Sequence, residues 1–145
     1  MDLVIGIGNR LRGDDGIGPA LVESLEERTG VERHVVHQLT PDLMPRFGEA
    51  ARVLFVDASI DGSELRLDRL SPSPARGLGH ALTPAAFLDL AAKLYDLSTP
   101  AWLLSVPGSE FEVGERLSSQ ANDRLPEARR RIEAWLEAES IPAAT

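Results

Sequence analysis

Residues 3–18 run Leu3-Val4-Ile5-Gly6-Ile7-Gly8-Asn9-Arg10-Leu11-Arg12-Gly13-Asp14-Asp15-Gly16-Ile17-Gly18. A short apolar run, Leu3–Ile7, passes through a glycine-rich turn into a helical pattern in which Ile17, Leu21 and Leu25 fall four apart, on one face. This strand–turn–helix unit sets the fold class. Two glycines of a dinucleotide fingerprint are present, but Leu11 stands where the third would be. Two carboxylates, Asp14 and Asp15, also sit where the helix begins. A helix N-terminus accommodates one anion, and two resident carboxylates would repel a pyrophosphate.

The same alternation continues outward. Gly30 is a stop signal for the first helix, and Val31–Leu39 is β-rich. Pro41–Ala50 suits a short helix with Leu43, Met44 and Phe47 facing inward. Val53–Val56 is a second continuous apolar run, and Leu65 and Leu67 alternate with charged residues as an edge strand does. After the Ser/Pro/Gly-rich stretch Ser71–Gly79, a helix is expected from Pro84 to Leu97. Its buried side would carry Phe87, Leu88, Ala91, Leu94 and Tyr95. Ala101–Val106 is a third apolar run, stopped by Pro107 and Gly108. The last helix has Ala121, Leu125, Ala128, Ile132 and Trp135 at helical spacing, with Pro126 expected to kink it or mark a second start. Strands alternating with helices predict a three-layer α/β/α domain over residues 1–145 with a mostly parallel sheet. Ligands of such sheets sit at the carboxyl ends of the strands.

Composition narrows the function. The 145 residues include no cysteine, which removes disulfides, thiolate metal sites and a cysteine nucleophile and fits a reducing cytosol. No leader-like or membrane-spanning apolar stretch is evident, so a cytoplasmic protein is expected. A net charge of −8 is wrong for nucleic acid, whose phosphates need a basic face. The run Arg129-Arg130-Arg131 lies beside Glu127 and Glu133, as on a solvated helix face. There is no G-x-S-x-G elbow, no H-E-x-x-H and no phosphate loop. With three histidines, none paired at metal spacing, a self-contained zinc hydrolase is not indicated.

Three side chains remain. Asp15 lies at the first helix start, where one of the two adjacent aspartates could simply cap the helix while the other points into a cleft. Asp57 follows the apolar strand Leu54-Phe55-Val56; alone, such an aspartate need do no more than end a strand. His80 sits in Gly77-Leu78-Gly79-His80, just before a helix, where a lone histidine is often only polar surface. His34 falls on an alternating strand as surface, and His37 is left undecided. Taken together, Asp15, Asp57 and His80 would converge at the sheet's rim as an oxygen/nitrogen site for a borderline divalent ion, with coordination positions left open.

These motifs, in this order, resemble those of the [NiFe]-hydrogenase maturation endopeptidases. They are G-I-G-N-x-L-x-x-D-D-G-I-G at the N-terminus, Val56-Asp57-Ala58, a histidine ahead of a Leu/Ala-rich helix, and a late strand running into Pro107-Gly108 and then Gly114-Glu115-x-Leu117-Ser118. The resemblance implies a phosphorylase/hydrolase-like twisted sheet of about five strands. It implies Asp15, Asp57 and His80 as catalytic and metal-recognising residues. The metal would be nickel, supplied by the substrate rather than permanently bound. The partner would be an immature hydrogenase large subunit, processed and thereby activated by removal of its C-terminal peptide in an aspartic-type or metal-assisted hydrolysis. Asp14 is assigned mainly to capping. The chain departs from the family pattern at Gln38-Leu39-Thr40-Pro41, where many members have Gly-Gly-Thr, and at Leu78-Gly79-His80, where many have Ser-Pro-His. Both differences bear on substrate identity. Two other classes fit the sequence: a nickel-carrying chaperone and a non-catalytic flavodoxin-like binding module, the latter disfavoured by Asp14-Asp15.

Overall fold

A computed structural model describes residues 1–60, 64–75 and 82–138. Five strands, β1 (Asp2–Ile7), β2 (Val31–Val36), β3 (Arg52–Ser59), β4 (Arg66–Arg69) and β5 (Ala101–Pro107), form one sheet in the order β2-β1-β3-β5-β4. All pairings are parallel except that of β4 with β5. The helices are α1 (Ile17–Ser24), α2 (Met44–Glu49), α3 (Pro84–Tyr95) and α4 (Ser119–Glu137). The mostly parallel, five-stranded α/β sheet is the one expected from the sequence.

Side chains alternate across the central strands and divide the core in two. Val4, Leu54, Val56, Leu104 and Val106 pack under α1 and α4. Leu3, Ile5, Val53, Phe55 and Ala101 pack under α2 and α3, where Phe87 meets Phe47 and Phe55 edge-on. Because β1 and β3 are covered on both sides, they read as continuous apolar runs. The exposed edge strand β4 shows the alternation instead.

One helix expectation needs correction, and for another the structure removes one of two alternatives, a second start at Pro126. Leu94 and Tyr95 are exposed, not buried. The chain leaves α3 through Asp96 in the left-handed region (φ 54°), and the N–H of Leu97 returns to the carbonyl of Ala91. Leu97, packed on the core under α2 and α3, thus covers what the last helical turn would have covered. Pro126 does not divide α4, which is continuous from Ser119 to Glu137. Residues 122 and 126 are both exposed, so the carbonyl that loses its partner faces water.

One close approach fixes α1 on the sheet. A Cβ on Gly18 would collide with the carbonyl oxygen of Val56 and lie 2.7 Å from that of Ile7, while one on Gly6 would lie 2.6 Å from the Gly18 carbonyl. Glycine at 6 and 18 lets the start of α1 rest directly on β1 and β3.

Candidate functional site

β1 leads through α1 to β2 on one side, whereas β3 leads on toward β5 on the other. The gap between the carboxyl ends of β1 and β3 is therefore a topological switch point, where open α/β sheets bind ligands. A cleft of about 330 Å³ opens there, lined by Gly8, Asp15, His37, Asp57, Leu82 and Thr83 among others. A larger hollow of about 490 Å³, around Glu27–Arg33, lies by the amino end of β2, away from these carboxylates.

Asp15 reaches the cleft from the short 3₁₀ turn Gly13–Gly16 that precedes α1. Its Oδ2 accepts the Asn9 N–H at 2.7 Å. Asn9 in turn closes the turn, its Oδ1 accepting the Leu11 N–H at 2.9 Å. Asp57 is held by β3 itself, with Oδ1 accepting the Ala58 N–H at 2.9 Å. Burial pushes the Asp57 carboxyl up to about 7; the Ala58 hydrogen bond opposes this, and the nearby charge of Asp15 adds to it. The two carboxylates thus face one opening, and one of them is poised to exchange a proton near neutrality.

Asp14 does not cap α1. The N-cap of that helix is Gly16, with no side-chain cap bond, and Asp14 is completely buried. It points away from the cleft into the loop between β5 and α4. Burial opposes its charge, but the Ser118 hydroxyl and the N–H groups of Ser109, Ser118 and Glu110 outweigh that and hold the carboxyl below the ordinary carboxylate range. No local pattern in the sequence announces this, because the partners lie about a hundred residues away.

His37 is the polar cleft residue that the sequence leaves undecided. β2 ends at Val36, not at Leu39, so His37 is the first residue beyond the strand's carboxyl end. That position was the available signal. His34, by contrast, lies on the strand and pairs with Glu32. His80 lies outside the described residues. The helix that follows it starts with Pro84 and is capped by Thr83, whose side chain accepts the Ala86 N–H at 3.1 Å. Among the described residues, no three His, Asp or Glu side chains are grouped to hold a metal ion, and no helix is long and apolar enough to cross a membrane.

No protein-family model and no curated protein matches the chain. Solved structures do. The hydrogenase maturating endopeptidase HybD from Escherichia coli is 17% identical with a TM-score of 0.74, over 96% of this chain and 93% of that one. A [NiFe] hydrogenase maturation protease, HycI from Thermococcus kodakarensis, is 20% identical with a TM-score of 0.70, over 94% and 90%. A hydrogenase 2 maturation peptidase from a Thaumarchaeota archaeon is 21% identical with a TM-score of 0.69, over 94% and 97%. At these identities the likeness is one of fold: from β1 to α4, the chain has the fold of the solved hydrogenase maturation endopeptidases.

Proposed function

We propose that this chain is an endopeptidase that removes the C-terminal peptide of a nickel-loaded [NiFe]-hydrogenase large-subunit precursor. The observation that carries the reading is the pairing of Asp15 and Asp57 across one cleft at the switch point, with Asp57 near 7. The fold shared with solved maturation endopeptidases supports it. His80 stands two residues before Leu82 of the cleft in sequence.

In this reading the precursor's own nickel is the docking point, met by Asp15, Asp57 and His80, and docking places the scissile bond beside Asp57. Positioning supplies much of the rate, because a bound bond and a bound water no longer meet by chance. Asp57 takes a proton from the attacking water as general base. A carboxylate near 7 suits that task better than one at the ordinary value, since a large fraction is ionised at neutral pH and the anion is basic enough to accept. The proton then passes to the departing amine. The protein acts in the cytoplasm and holds no metal of its own.

Purified protein incubated with nickel-loaded and nickel-free precursor tests this. Cleavage of the loaded form alone is expected; equal cleavage of both would remove metal recognition. A folded His80→Ala variant that processes the loaded precursor at full rate would remove His80 from the site.

A further inference from the structure

Asp14 takes no part in the chemistry above, yet it is a fully buried carboxylate. Such a group persists only where its lone pairs are met. Oδ2 accepts the N–H of Ser109 at 2.7 Å and of Glu110 at 3.0 Å, and the hydroxyl of Ser118 at 2.6 Å. Oδ1 accepts the Ser118 N–H at 2.7 Å. The Ser118 hydroxyl also accepts the Ala121 N–H at 3.1 Å as the N-cap of α4, so its single proton is directed at Asp14.

Backbone bonds extend the tie. The Asp14 N–H donates to the Glu110 carbonyl at 2.7 Å, the Gly13 N–H to Gly114 at 2.8 Å, and the Gly114 N–H to Leu11 at 2.8 Å. Gly13 has φ 56°, and a Cβ there would lie 2.5 Å from the Glu110 carbonyl oxygen. Residues 11–14 and 109–118 are therefore one hydrogen-bonded body, and Asp15 is the next residue along it.

We propose that Asp14 is the positioning residue of the site: by locking the turn onto the segment 109–118, it fixes where Asp15 stands in the cleft. This rests on the reading of Asp15 as a substrate-facing group. Asp14→Asn is the nearly isosteric test, since it turns one acceptor oxygen into a donor facing donors.

The Asn9 N–H, bonded to Asp15, reports the position of Asp15 without any substrate. In the folded full-length Asp14→Asn variant, its NMR resonance should move upfield and its hydrogen exchange quicken at least about tenfold. Ile132→Val, which loosens α4 without touching the turn, should leave that resonance in place. Precursor cleavage should lose about 10- to 100-fold in kcat with KM little changed. An unmoved Asn9 resonance, or a moved one with kcat intact, would overturn the assignment. Should Asp14→Asn not fold, Ser118→Ala keeps the charge and three backbone donors, and a smaller shift of Asn9 is expected; none would overturn the assignment. If the native protein cleaves no precursor, the proposed function fails, and Asn9 still decides this one.

Discussion

Asp15 stands close enough to Asp57 for its charge to resist Asp57's ionisation, yet burial is the larger cause of the shift. The folded protein holds the Asp57 proton to about 7, whereas the unfolded chain releases it near 3.8. The folded state thus binds the proton more tightly between these values. The stability this group contributes is fully present below about 4 and is lost as pH rises through about 7. Asp57→Asn should therefore be more stable than the native protein at pH 8 and nearly equal at pH 4. A gap of about three pH units sets a ceiling of roughly 4 kcal/mol, and partial solvent contact brings the expectation to about 1–3 kcal/mol. Denaturant unfolding at both pH values measures it.

Asp15→Asn should lower the apparent pKa of Asp57 by less than about one unit, because burial remains. Carbon NMR titration of the Asp57 carboxyl gives the value directly. A fall to the ordinary 3.8 would mean that charge repulsion, not burial, sets it. In precursor cleavage, kcat/KM of the native protein should rise with pH and level off above about 7, and the Asp15→Asn profile should shift to lower pH.

Gly18→Ala should be among the costliest single-methyl additions in the molecule. The new Cβ meets backbone carbonyls of β1 and β3, which cannot swing aside. A loss of about 2–4 kcal/mol is expected. Gly30→Ala is the useful contrast: φ is 82°, but nothing lies within 4 Å, so only the backbone penalty of about 1–2 kcal/mol remains. Thermal melts of the two variants separate collision from conformation.

Arg52 is held on the α4 side of the sheet by Asp2, with Nε–Oδ1 at 3.0 Å and Nη2–Oδ2 at 2.8 Å, and lies 3.9 Å from the centre of the Trp135 ring. Arg52→Ala strands a buried carboxylate and should cost about 3–5 kcal/mol. Removing both charges, as Asp2→Asn with Arg52→Met, should recover a large part of that. A double-mutant cycle in urea tests the coupling.

How far the sequence reveals all this depends on the range of the interactions involved. Strands β1 and β3 are largely buried on both faces and β5 is buried or half-buried throughout, so their apolar runs are local signals, and the alternation of Leu65 and Leu67 marks β4 equally well. Asp15 and Asp57 are legible because strand ends and helix starts place them at the rim. The burial of Asp14 is not, since its partner Ser118 is 104 positions away. The exposure of Leu94 and Tyr95 escapes periodicity because it depends on where Leu97 folds back. His37 turns on three residues of strand length, the least determined feature of any local pattern.

One of the two cores is completed by α4, which follows all five strands of the described residues and contributes Ala121, Ala128, Ile132, Trp135 and Leu136. Its first cap residue also neutralises the cost of burying Asp14. During synthesis, then, the whole sheet leaves the ribosome before the side that α1 and α4 share can be fully covered. Until α4 emerges, the nascent protein presents an apolar flank where α4 will pack, the kind of surface that holding chaperones bind.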